Sequence, residues 1–106
     1  MKLIKPTAEE GAAGLRAMAT VAHARQPIAE PTRRLIEAGQ RVLLGKAEDI
    51  DSLDSISPSD LAQTIQRPEI REQLISGMVL AGLSAGEPPV GQADVIQSFA
   101  QALDVH

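Results

Sequence analysis

Apolar residues in this chain recur at every third or fourth position and nowhere alternate, a pattern that amphipathic helices satisfy and half-buried strands do not. Leu15, Met18, Val21 and Ala22 form one stripe, and Leu35, Ile36, Gly39, Val42 and Leu43 a second. Ile70, Leu74, Ile75, Met78 and Ala81 form a third, and Val95, Ile96, Phe99, Ala100 and Leu103 a fourth. The fold class that follows is all-α, a bundle of about five to seven helices with the 106 residues in a single domain.

Helix punctuation agrees with the stripes. Thr7 and Glu10 have capping-box spacing, which starts a first helix that runs to about Ala24. Pro31 suits the first turn of a second helix, and Gly45 its C-cap. Ile50, Leu53 and Ile56 predict one short helical turn packed on the core. Ser57-Pro58-Ser59-Asp60 opens a short helix to about Gln66, and Arg67-Pro68-Glu69 opens the next. Val79, Leu80 and Leu83 widen that helix's stripe until it is apolar nearly all round, which marks it as the central, most buried element. After Gly86-Glu87-Pro88-Pro89 comes a last helix, whose Phe99 is the only aromatic residue and must fill the largest volume in an aliphatic core.

Composition excludes several function classes. A net charge of -4 with scattered arginines gives no basic face for phosphate, and one aromatic residue gives no platform for bases, so nucleic acid is not an expected partner. Without cysteine there is neither a disulfide nor a thiolate metal site. The most apolar run, Leu74 to Gly86, is broken by Ser76, Gly77, Gly82 and Ser84 and is shorter than the roughly 20 residues that cross a bilayer, so no membrane insertion is expected. Met1 to Glu10 holds no apolar run of signal-peptide type, which points to the cytoplasm. Nothing resembles a nucleophile elbow or a Gly-rich phosphate loop, so the reading is of a non-enzyme with no catalytic residues and no cofactor.

Shifted by about sixty residues, the chain matches itself: Leu15 with Ile75, Met18 with Met78, Val21 with Ala81, Ile36 with Ile96 and Leu43 with Leu103. Two pseudo-repeated helical hairpins, residues 7–45 and 67–105, are the expected organisation. This rhythm, with Ser57-Pro58-Ser59-Asp60-Leu61, Arg67-Pro68-Glu69-Ile70-Arg71-Glu72, Ala85-Gly86-Glu87 and Phe99-Ala100-Gln101-Ala102-Leu103, resembles the TerB-like family of tellurite-resistance proteins. The resemblance spans nearly the whole chain and implies a TerB-like bundle, with short loops between paired helices. In that family the loops carry an Asp-Gly pair, whereas this chain has Arg25-Gln26 and Ala85-Gly86 there. The departure removes the charged oxygen ligands that hard cations need.

No metal site is therefore expected, and the nearest candidates are Asp49 and Asp51 in the acidic connection and Glu87 and Asp94 beside the second loop. Asp49, Asp51 and Asp60 take the first, third and twelfth places of a calcium loop, but Leu53 stands where a ligand belongs and Asp54 where glycine permits the turn. For an interaction surface the candidates are Gly82 and Gly86, in a run of small residues, and His23 near the end of the first helix. The resemblance implies a non-catalytic accessory or interaction module, of the kind tied to metalloid or envelope stress, binding another protein or forming a homodimer. A small-molecule or metal-ion binding domain, or an accessory subunit of a larger enzyme, are the other readings.

Overall fold

The computed structural model describes residues 3–25, 27–84, 86 and 89–105. Among them are five α-helices and no strand: α1 (Ala8–His23), α2 (Glu30–Leu44), α3 (Pro58–Thr64), α4 (Pro68–Leu83) and α5 (Val90–Ala102), with one 3-10 turn at Ile50–Ser52 before α3. The capping box forms as its spacing predicts: the Glu10 amide donates to Thr7 Oγ1, and the Thr7 amide donates to Glu10 Oε1. Ser57 caps α3 through the Asp60 amide. Gly45 ends α2 at φ 73°, a left-handed backbone that a side chain would strain.

The two halves are related by a constant offset. Ala8 and Pro68 begin α1 and α4, and Glu30 and Val90 begin α2 and α5, so each pair starts sixty positions apart. Packing follows the same exchange: α1 packs on α2 and α4 on α5 within halves, while α1 meets α5 and α4 meets α2 between them. Two buried polar side chains make the relation reciprocal. Thr32 Oγ1 donates to the Ala81 carbonyl at 3.2 Å, and Gln92 Nε2 donates to the Val21 carbonyl at 3.0 Å. Thr32 and Gln92 are counterparts under the offset, and so are Val21 and Ala81. Each half therefore hands its second helix to the last turn of the other half's first helix, and satisfies a buried hydrogen-bonding group in doing so.

α1, not α4, is the most enclosed helix. It packs against α2, the 3-10 turn, α3, α4 and α5, and Gly11, Ala13, Gly14, Ala17, Ala19 and Ala22 are all buried along it. Its small side chains let five neighbours approach, whereas α4's larger ones hold neighbours off and leave Val79, Leu80 and Leu83 exposed. Phe99 is 1 % exposed and sits with Leu61, Ile65, Met78 and Leu103 in the main core cluster, as its being the sole aromatic predicts.

Long-range polar contacts then fix the connections. Arg71 donates to the carbonyls of Ile65, Ala62 and Leu103 and so ties the end of α3 to the end of α5. Arg16 donates to the Asp54 and Ser55 carbonyls, and the Ile56 amide donates to Thr20 Oγ1, which fixes the entry to α3 on α1. Glu10 and Arg67 form a bidentate pair at 2.5 and 2.9 Å. That guanidinium, helped by the Thr7 amide, holds the Glu10 carboxyl well below its ordinary range, at about 2.

Candidate functional site

Between α2 and α4, with α1 as its floor, lies an apolar groove enclosing about 390 Å³. α1 contributes Leu15 and Met18, α2 contributes Leu35, Gly39 and Val42, and α4 contributes Leu74, Gly77 and Leu80. Its size and lining are those of a binding cleft between bundle helices. The rim exposes large aliphatics, Val42 at 71 %, Leu80 at 61 % and Leu35 at 40 %, as Val79, Leu83 and Val90 do outside the groove. Single exposed aliphatics are ordinary, but a contiguous set around a concavity marks a contact site.

Two glycines make the groove deep. Gly39 in α2 and Gly77 in α4 both line it, and a Cβ built on either would meet nothing within 4 Å. Neither, then, is needed for close packing inside the fold. Gly11 differs, since a Cβ there would come 2.7 Å from Leu44 Cδ2. A glycine inside a helix costs about 1 kcal/mol relative to alanine, so Gly39 and Gly77 keep an open space at the expense of stability.

One end of the groove is closed by the segment before α1. The Ile4 amide donates to Gln73 Oε1 at 2.7 Å and Gln73 Nε2 returns a bond to the Ile4 carbonyl at 2.8 Å, which pins this strap to α4 with Leu3 and Pro6 against the groove. Polar side chains at the lining are few. Glu10 is held by Arg67, and Gln40 is held by the backbone of Glu48.

The residues singled out from the sequence lie elsewhere. Asp49 caps the 3-10 turn through the Asp51 amide, and Arg33 Nη1 stands 3.7 Å from Asp49 Oδ1 and 3.2 Å from Asp51 Oδ2. This pair thus already has a cation of its own. Asp94 is an exposed residue of α5, and Glu87 lies outside the described residues. Among the described residues no three His, Asp or Glu side chains gather as a metal ion would require. His23 Nε2 lies 3.1 Å from the Ile50 carbonyl oxygen and 3.9 Å from Asp51 Oδ1, which places it in the seam between α1 and the 3-10 turn. Gly82 is buried within α4, and Gly86 is an exposed turn glycine at φ 99°. Neither borders the groove. No described helix is long and apolar enough to cross a membrane.

The groove's walls are legible in the apolar stripes, and the groove itself is not. Gly39 reads as one more small member of an apolar stripe and Gly77 as an interruption of an apolar run; the available signal is that both fall in mid-helix, where glycine needs a reason. Compared with protein-family models, with curated proteins and with solved structures, the chain matches none.

Proposed function

We propose that this chain is a non-catalytic helical interaction module that engages a partner protein through the groove between α2 and α4. The observation that carries this reading is the pairing of exposed Leu35, Val42 and Leu80 with the open space over Gly39 and Gly77. Burying such a set against a partner yields about 25 cal/mol for each Å² of apolar surface removed from water, and a preformed concavity supplies the anchor pocket on which docked side chains depend. The TerB-like resemblance proposed from the helix punctuation points to the same kind of role, an accessory or interaction module.

Gly77→Leu is the direct test. Leucine is a strong helix former and its side chain enters open space, so the variant should stay folded while the groove is filled. With helicity confirmed by circular dichroism, tagged Gly77→Leu should lose the proteins that co-purify quantitatively with the parent chain, whereas Gln97→Leu, at an exposed position on α5, should keep them. Equal recovery with Gly77→Leu and the parent would remove the groove from the interaction.

A further inference from the structure

The segment before α1 occupies the place into which a body in the groove would extend. Gln73, Gly77 and Leu80 succeed one another on one face of α4, and all three line the groove. The Gln73 carboxamide holds the Ile4 backbone at both its amide and its carbonyl, one helical turn or about 6 Å before the open space over Gly77. Leu3 and Pro6 stand at that end of the groove. An occupant that enters at Leu80 and runs along α4 past Gly77 therefore meets this strap.

The strap is held more lightly than its counterpart in the second half. Under the sixty-residue offset, residues 3–6 fall on residues 63–66, the exit from α3. There Ile65 is buried, and the Arg71 guanidinium takes the Ala62 and Ile65 carbonyls. In the strap the place of Ile65 is taken by Lys5, which is exposed, and the place of Arg71 by Gly11, which has no side-chain donor. Gln73 supplies a neutral substitute from the other half, and its two bonds to Ile4 are the only hydrogen bonds or ion pairs of residues 3–6 among the described residues. Charge-assisted bonds such as those of Arg71 are roughly twice as strong as neutral ones. Leu3 is 51 % exposed, so half of its side chain is left uncovered. Ile4 packs against the main core cluster, which keeps the strap closed when nothing competes with it.

We propose that the strap, residues 3–6, is an autoinhibitory cover of the groove: latched by Gln73, it fills the end that a partner protein needs, and binding there lifts Ile4 off Gln73. This rests on the groove being the interaction surface. Lifting the strap strands no buried group, because Ile4 and Gln73 are both partly exposed and water can take each of their bonds. Strap and partner then exclude one another. The affinity for the partner is the intrinsic one reduced by the fraction of chains whose strap is lifted, and the partner in turn raises that fraction.

Gln73→Ala in the full chain tests this, since it removes both bonds and leaves a strong helix former in α4. Amide hydrogen exchange at Ile4 reads the latch. Dodecanoate below its micelle concentration probes the groove, followed by the methyl chemical shifts of Leu35, Val42 and Leu80; its chain suits the run from Ile70 to Leu80, roughly 15 Å of helix. In the parent the Ile4 amide should be protected, and saturating dodecanoate should speed its exchange. In Gln73→Ala it should exchange freely while the amides of α1 stay protected, and dodecanoate should bind roughly tenfold more tightly, as a lifted fraction of about a tenth in the parent requires. Gln73→Glu, which keeps the acceptor for the Ile4 amide and loses the donor to its carbonyl, should fall between the two. An unprotected Ile4 amide in the parent overturns the latch. Groove shifts with equal affinity in parent and variant, and with Ile4 exchange unmoved, overturn the autoinhibition and leave the groove standing. No groove shifts in either protein remove the groove reading and the autoinhibition with it.

Discussion

If the groove is open in solution, replacing either of its glycines by alanine stabilises the protein. Gly39 and Gly77 lie in mid-helix, and an added methyl at either position meets no atom within 4 Å. Each substitution then gains the helix propensity difference of about 0.8 to 1.0 kcal/mol with no steric cost to set against it. The two sites stand on different helices without a shared contact, so the double variant should gain about 1.5 to 2 kcal/mol. At about 4 °C or more per kcal/mol for a domain of this size, its melting temperature should rise by roughly 6 to 10 °C. Differential scanning calorimetry or urea unfolding reads this directly. Gly11→Ala and Gly45→Ala are the controls: the first crowds Leu44 and the second places a side chain at φ 73°, and neither should stabilise. Should Gly39→Ala or Gly77→Ala instead destabilise, the walls meet in solution and the argument from open space fails.

Phe99→Ala should cost about 3 to 5 kcal/mol and lower the melting temperature by on the order of 15 °C, because the ring is 1 % exposed among large neighbours; a shift of only a few degrees would mean that α5 is a loosely held tail. Because Glu10 titrates at about 2 in the folded chain against an ordinary 4.5, its pair with Arg67 contributes fully above about pH 4.5 and is lost as pH falls towards 2. Urea midpoints should therefore drop across that window, and Glu10→Gln should drop less. Millimolar calcium or magnesium should leave the melting temperature unchanged, since Asp49 and Asp51 already share Arg33 and no third carboxylate joins them among the described residues; saturable stabilisation that Asp51→Asn abolishes would refute this.

Local chemistry made the helices legible in the sequence. The Thr7–Glu10 box, Ser57 and Gly45 act within a turn of themselves, and the burial of Phe99 follows from its being the sole aromatic. The sixty-residue offset has its structural counterpart in the starts of α1 and α4 and of α2 and α5. What depends on neighbours was not legible. α4 carries the broader apolar stripe, yet α1 is the enclosed helix, since enclosure is set by how closely others can approach and α1 is built of glycine and alanine. Glu10 and Arg67, fifty-seven positions apart, and the three carbonyls gathered by Arg71 are joined only by the fold. The groove was hidden for a related reason: Gly39 of α2 and Gly77 of α4 line one space only once the two helices are packed on α1, a juxtaposition no single stripe contains.

Site-specific photo-crosslinking in cells reads whether the groove is the surface that meets a partner. A benzophenone side chain at Val42 or Leu80, on the groove's rim, should capture the same partner protein, and one at Gln97 or Asp94, exposed on α5, should not. Capture from Val42 and Leu80 that disappears in the Gly77→Leu background is the predicted result. Capture from Gln97 or Asp94 with none from the rim, or rim capture unchanged by Gly77→Leu, would place the contact elsewhere and contradict the account.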